Sequence, residues 1–307
     1  MNYIRYLLKN PQNLTLSHLR RRVILNFAQY YSDRKFLEKL FPLRVGYKLN
    51  LDNPQTFNEK LQWLKLYDRR PEYSRMVDKV EAKKYVADII GDEYIIPTLA
   101  VYNNAEDIDF DALPTQFVLK CTHDSGSIVI CKDKAKLNRK ASIKKLAHGL
   151  KVNYFYQNRE WPYKNVKPRI IAEQYMTNNG SDLKDYKVHN FDGIPKIILL
   201  CCDRYKETGL TEDFFSSNWE HLDILRPDHC NAVNIADRPK EFDEMLRLSK
   251  QLSKNIPFVR SDFFIIGNKV FFNELTFFPA SGMKPFVPVE WDYTFGSWIT
   301  LPPKPNE

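Results

Sequence analysis

Residues 260–276 read Arg-Ser-Asp-Phe-Phe-Ile-Ile-Gly-Asn-Lys-Val-Phe-Phe-Asn-Glu-Leu-Thr, two apolar runs joined at Gly267-Asn268. That pair accepts the positive φ of a tight hairpin. Alternation sets Arg260, Asp262 and Phe264 on one face of the first strand and Phe272, Glu274 and Thr276 on one face of the second. A two-residue turn pairs Ile266 with Lys269 and sends Asp262 and Glu274 to opposite faces. A three-residue loop with a bulge pairs Asp262 with Glu274 and brings both carboxylates to Arg260. Two carboxylates on one face repel unless a cation lies between them, and their oxygens suit Mg²⁺. The competing reading is a surface ion pair of Arg260 with Asp262 on an edge strand.

Outward from this hairpin, strands are expected at Phe117–Cys121, Ser127–Cys131, Arg169–Glu173, Tyr186–Phe191, Ile194–Cys202, Val259–Ile266 and Val270–Leu275, with a second tight turn at Asp192-Gly193. Helices intervene at about Ala141–Val152 and Glu241–Lys254. Upstream, Asn53-Pro54-Gln55 breaks the chain and Thr56 with Glu59 forms a capping box for a helix through Trp63 and Leu66. A further helix is expected from about Met76 to Ile90, ended by Gly91, then a short strand over Tyr94–Pro97. Hairpins interspersed with helices give an α+β fold. Near the start, Leu16, Leu19, Val23, Phe27 and Tyr30 recur at helical spacing with Arg20, Arg21 and Arg22 on the polar side. Such a helix either docks on the main body or touches a membrane.

With 307 residues, 43% of them hydrophobic, the chain can bury a large core in about two lobes. The longest apolar run, Ile197–Cys202, is far short of the roughly 20 residues of a membrane span. Met1–Asn10 lacks the apolar centre and cleavage site of a secretory signal, so the cytosol is expected. Five Cys without a CxxC pair argue against a disulfide framework or zinc knuckle. The net charge of +8, concentrated in the first 40 residues, suits nucleic acid, an anionic membrane surface, or phosphorylated and carboxylated substrates. That segregation, and the absence of a nucleic-acid-binding motif, count against a nucleic-acid binder.

No GxGxxG, Walker loop or HExxH motif is present, and His221 with Asp223, Asp228 and His229 reads as solvated loop. Lys120 shares a strand face with Val118, an unusual place for an ammonium without an anionic partner. The strand leads into Thr122–Ser127, whose backbone N–H groups, hydroxyls and Gly126 can approach phosphate. Lys187 and His189 alternate in a later strand, and Glu173-Gln174-Tyr175 ends another. Edge-strand polarity explains each of these alone.

Their order along the chain resembles the ATP-grasp superfamily, and most closely its TupA-like branch of teichuronopeptide biosynthesis. The resemblance runs from about Tyr47 to the C-terminus. It rests on Asn53-Pro-Gln-Thr-Phe-Asn-Glu-Lys, Asp78-Lys79, Phe117-Val-Leu-Lys120, Ala172-Glu-Gln-Tyr, Asp185-Tyr-Lys-Val-His, Arg260-Ser-Asp262 and Asn273-Glu-Leu-Thr-Phe-Phe-Pro-Ala-Ser-Gly282. It implies ATP clasped between two α+β lobes behind an N-terminal helical extension. The expected divisions are 1–52, the extension with its basic helix; 53–115, an N-terminal subdomain; 116–176, the lid; and 177–307, the catalytic subdomain.

In that resemblance Lys79 and Lys120 reach the ATP phosphates, His123, Ser125, Gly126 and Ser127 close over them, and Glu173, Gln174 and Tyr175 form the adenine hinge. Lys187 and His189 lie near the ribose or phosphates. Asp262, Glu274 and Thr276 hold Mg²⁺, and Arg260 and Lys120 act on the transferring group. Two departures stand out: a phosphate loop poor in Gly, and Thr276 where the superfamily commonly has Asn. The implied activity is carboxylate–amine ligation through an acyl phosphate, joining an amino acid to a uronic or amino-acid carboxylate of a surface polysaccharide. Peripheral contact with the inner membrane surface would suit such an acceptor. Alternatives are a kinase-like phosphotransferase on a sugar or amide, and a glycosyltransferase.

Overall fold

The computed structural model describes residues 11–178, 183–202 and 209–305. Residues 1–10, read above for a secretory signal, lie outside the described residues. Five helices come first: α1 Pro11–Asn26, α2 Asp33–Val45, α3 Phe57–Tyr67, α4 Glu72–Val77 and α5 Glu81–Ile90. The Thr56 hydroxyl accepts from the Glu59 amide at 3.2 Å, and the Glu59 carboxylate accepts from the Thr56 amide at 3.1 Å, so the capping box forms as expected. Glu59 also accepts from the amides of Asn50 and Gln55, which ties the loop before α3 to its first turn.

The single helix expected from Met76 to Ile90 is interrupted. Asp78 is extended, its carboxylate accepts from the Val80 amide at 2.9 Å, and its second oxygen takes Arg169 at 2.7 Å. Periodicity does not register a break of this kind, because α4 and α5 keep their apolar faces inward on both sides of it. Helix α1 also differs from expectation. Ile24 and Leu25 pack on the core while Leu19, Val23, Phe27 and Tyr30 stay exposed, so the expected docking stripe is the outer one.

Two antiparallel sheets follow. The smaller has strands β1 Thr98–Tyr102, β2 Phe117–Cys121, β3 Ile128–Cys131 and β4 Ile170–Gln174 in the order β1-β4-β2-β3. Helix α6, Arg139–Leu150, covers it, and Phe110, Phe117, Leu119, Leu146 and Ile170 fill a core separate from the main one. Thr98–Tyr102, grouped by sequence with the helices before it, pairs here with β4. A short helix, α7, spans Phe155–Asn158.

The larger sheet has β5 Asp185–Phe191, β6 Ile194–Cys202, β7 Thr211–Ser216, β8 His221–Leu222, β9 Phe258–Ile266 and β10 Lys269–Thr276, in the order β10-β9-β5-β6-β7-β8. Helix α8, Phe242–Leu252, buries Phe242, Met245, Leu248 and Leu252 on one face of it. Asn190 accepts from Ser249 of α8 at 2.9 Å, so that face carries Val188, Asn190, Ser261 and Phe263. By alternation the other face presents Asp185, Lys187, His189, Arg260 and Asp262. Helix α9, Glu290–Ser297, closes the chain against α3.

The decisive hairpin combines both geometries that its sequence allows. Ile266 pairs with Lys269 across a two-residue turn, with Gly267 at φ +60°. A bulge between Phe272 and Glu274 then shifts the ladder by one residue. Glu274 therefore lies opposite Asp262, and Thr276 opposite Arg260.

Candidate active site

A cleft of about 930 Å³ opens between the two sheets. The small sheet contributes Val118, Lys120, Ile130 and Glu173, and the large one Asp185, Lys187, Phe264 and Glu274. Gln174, Tyr175 and Met176, leaving β4, border it as well.

Three charged groups organise the lid side. Glu173 takes Lys83 on one oxygen at 2.6 Å and Lys120 on the other at 2.7 Å. Burial alone would raise its carboxyl, but Lys120 and Lys83 draw it down to about 2. Burial opposes the Lys120 ammonium too, and Glu173 outweighs it, so that lysine stays charged with a raised pKa. For Lys83 burial wins and the pKa falls. Lys83 is not among the site residues expected from sequence.

Lys79 enters the cleft through the break between α4 and α5. Its amide donates to the Thr122 carbonyl at 3.2 Å and its ammonium to the Asp124 carbonyl at 2.6 Å. It has no ion pair with a carboxylate among the described residues. Burial lowers its pKa, and Glu274 and Asp124 oppose that without restoring it. A phosphate oxygen would supply the missing counter-charge.

Ser125, Gly126 and Ser127 line the cleft beside Lys79. Gly126 sits at φ +114°, where an L side chain is strained. Ser127 donates to the Asp124 carboxylate, and its side chain presses on Gly149 of α6, where an added Cβ would lie 2.3 Å from the Ser127 hydroxyl. His123, expected beside the phosphates, turns the other way. Its Nε2 lies 3.2 Å from both the Gly149 and Val152 carbonyls, and the residue is buried against α6.

On the large sheet Arg260 holds Asp262 in two parallel bonds, Nε to Oδ1 at 2.6 Å and Nη2 to Oδ2 at 2.7 Å. Lys187 adds a third contact to Asp262 at 2.7 Å and pairs with Asp185 at 2.5 Å. Burial lowers both cations, but Asp262 and Asp185 more than compensate, and both pKa values rise. Arg260 also reaches Glu274 at 3.5 Å and the Thr276 hydroxyl at 3.1 Å. Glu274 faces the cleft with its side chain 40% exposed, and Asn273, the bulge residue, comes within 3.5 Å of Lys120.

His189, expected near the nucleotide, is buried below this layer. Its Nδ1 lies 3.1 Å from the Lys187 carbonyl. Burial, with Arg260 and Arg226, pushes its pKa well below the ordinary imidazole range, so the ring is neutral. Alternation correctly puts it on the face of Lys187 without showing that the cleft ends one residue pair earlier. Asp185, Asn273 and Phe264 line the cleft without having been singled out as site residues. Phe264 shares its strand face with Asp262, and that alternation was the available signal.

Beside Glu274 stand the Thr276 hydroxyl at 3.4 Å and the Arg260 guanidinium at 3.5 Å, and a hard divalent cation takes oxygen ligands such as the first. Among the described residues no three His, Cys, Asp or Glu side chains converge on one point. Glu274 is the carboxylate open to such an ion; Asp262, opposed to it across the bulge, is buried with both oxygens engaged by Arg260 and Lys187 and would join as a ligand only by giving up one of those contacts, the remaining ligands being left to phosphate oxygens and water.

Three solved structures are similar to this chain at low identity. A D-alanine–D-alanine ligase from Bacillus anthracis complexed with ATP is 15% identical, with 66% of this chain and 54% of that chain covered and a TM-score of 0.40. The D-alanine–D-alanine ligase from Helicobacter pylori is 17% identical, covering 79% and 69%, with a TM-score of 0.39. N5-carboxyaminoimidazole synthetase from Staphylococcus aureus complexed with ADP is 16% identical, covering 65% and 43%, with a TM-score of 0.33. The chain thus spans about half the length of the Bacillus anthracis ligase. No curated protein matches its sequence. The family model described as TupA-like ATPgrasp matches residues 59–300, which hold every cleft residue named above, and the chain belongs to the TupA-like ATP-grasp family.

Proposed function

We propose that the chain is an ATP-dependent carboxylate–amine ligase working through an acyl phosphate. The observation that carries this reading is the β10 bulge, which sets Glu274 opposite the buried Asp262 and in a cleft that also holds Lys79, Lys120 and Lys187. Phosphoryl transfer needs fixed cations around the phosphates and carboxylates for a divalent ion, and little else from the protein.

In this mechanism the Gln174–Met176 segment borders the adenine, and Val118, Ile130 and Phe264 supply apolar walls. Lys120, held by Glu173, and Lys79, under the Ser125–Ser127 loop, face the phosphates. Asp262 and Glu274 would hold Mg²⁺, which supplies charge neutralisation along the β- and γ-phosphates. Arg260 is fixed by Asp262, and its Nη1 makes no hydrogen bond among the described residues. It stands beside Glu274 as the cation for the transferring group. A substrate carboxylate oxygen attacks the γ-phosphorus and ADP leaves. An amine then attacks the acyl carbon, loses a proton and expels phosphate, forming the amide. Lid closure over the cleft keeps water from the acyl phosphate.

The acceptor in this reading is a uronic acid or amino-acid carboxylate of a surface polysaccharide or its precursor, and the donor an amino acid. It draws support from the TupA-like family model and from a cleft rich in fixed cations. Were that acceptor held at the membrane, peripheral contact with its inner face would bring the cleft to it. The test is to follow ADP and product mass with Mg-ATP, panels of uronic acids and amino acids, and the Glu274→Ala variant. A carboxylate- and amine-dependent ADP release that falls about 10²-fold in the variant is expected. A stable phosphorylated acceptor formed without amine would replace ligation by phosphotransfer, and unchanged turnover in the variant would remove the metal assignment.

A further inference from the structure

We infer that α1 and the turn after it form a surface that seats the protein on an anionic lipid bilayer. Leu19, Val23, Phe27 and Tyr30 are 60%, 46%, 52% and 75% exposed. With 3.6 residues per turn, Leu19, Val23 and Phe27 fall in one stripe, with Arg22 on one flank and Arg20 on the other. An apolar stripe between guanidinium groups on long stems fits the interface plane of a bilayer, rings and methyls below the headgroups and cations at the phosphates.

The stripe is fixed to the body. Ile24 and Leu25 on the opposite side join the main core. Arg159, 1% exposed, donates to the carbonyls of Ala28 and Tyr31 and pairs with Asp33 at 2.8 Å, which clamps the turn leading into α2. An apolar surface on a clamped element is presented to whatever lies outside.

Charge decides between a lipid surface and a second copy of the chain. Ten of the 46 Lys and Arg lie in residues 1–48, against two of the 38 Asp and Glu, so the entire +8 excess arises there. Arg20, Arg21 and Arg22 make no ion pair among the described residues. Arg44, at the end of α2, is lowered by burial and then by Arg21, which marks these two cations as near neighbours. Two copies meeting through this surface would oppose like charges, whereas anionic headgroups complement it.

The placement builds on the reading of a membrane-held acceptor, but vesicle flotation needs no turnover, so its failure and that of ligase activity are separate outcomes. The full chain is floated with vesicles of phosphatidylcholine alone or mixed with phosphatidylglycerol. Binding to the mixed vesicles is expected, decreasing as salt is raised. It should be at least tenfold weaker both for Leu19→Ser/Val23→Ser/Phe27→Ser and for Arg20→Gln/Arg22→Gln, while a fluorescent ATP analogue binds all three proteins alike. No flotation of the parent, or a triple variant that floats as well as it, overturns the proposal. Loss of a dimer in the triple variant by light scattering, with no vesicle binding by the parent, overturns it in favour of self-association.

Discussion

Glu173 divides its two oxygens between two ammonium groups, and that arrangement has a pH signature. Its folded pKa of about 2 lies below the ordinary 4.5, so the stability it contributes is complete above about pH 4.5 and is lost as the pH falls toward 2. The shift corresponds to something on the order of 3 kcal/mol. Glu173→Gln should lower the free energy of urea unfolding by about 2–3 kcal/mol at pH 7, because it leaves Lys83 and Lys120 without their counter-charge. The deficit should narrow as both proteins are taken to pH 3, and a constant deficit would mean that the carboxylate is not held by those lysines. Asp262 is more tightly held, by Arg260 and Lys187 together, and it fixes their side chains at the floor of the cleft.

At the scale of elements, the site depends on two interruptions of regular structure. The bulge in β10 carries Glu274 to the face of Asp262, and the break at Asp78 brings Lys79 out of a helix and onto the Asp124 carbonyl beside the Ser125–Ser127 loop. Asp78→Ala removes the bond to the Val80 amide and leaves Arg169 with only its weaker contact to Glu81. The expected loss is about 1–3 kcal/mol of stability together with weaker ATP binding, read by thermal unfolding and by titration of a nucleotide analogue. Stability lost with nucleotide affinity intact would show that the break does not position Lys79. Both interruptions explain what could be read in advance. Strand identity, the α+β class and the strand lysines Lys120 and Lys187 follow from alternation, which is local. A one-residue bulge follows from neither propensity nor spacing, so the sequence around Gly267-Asn268 left the carboxylate pairing open until the register was known. The inward turn of His123 depends on carbonyls at the end of α6, distant from it in sequence, and strand periodicity has no access to such a contact. Helix α1 failed for a related reason: two apolar stripes were present, and packing on the core selected Ile24 and Leu25.

Across the whole molecule the two sheets have separate hydrophobic cores, a small one under α6 and a large one shared by the N-terminal helices and the six-stranded sheet. The cleft lies between them, so each lobe can hold its own fold while the gap changes width, as a nucleotide clasp requires. The smaller core buries fewer large side chains, and the strands over it should open at a lower free energy than the centre of the large sheet. The residues proposed to meet the phosphates come from both lobes: Lys120 and the Ser125–Ser127 loop from one, Lys187 and Glu274 from the other, all lining the cleft. ATP should then stabilise the small lobe selectively. At a concentration a hundred times Kd, a ligand that requires the closed lobe adds about 2.7 kcal/mol to the cost of opening it. By amide hydrogen exchange, β2, β3 and β4 should gain protection of roughly 10²-fold with Mg-ATP, while β5 and β6, whose amides already exchange through global opening, should change far less. Equal gains in both sheets would mean that the lobes open as one unit and that the cleft is a fixed groove.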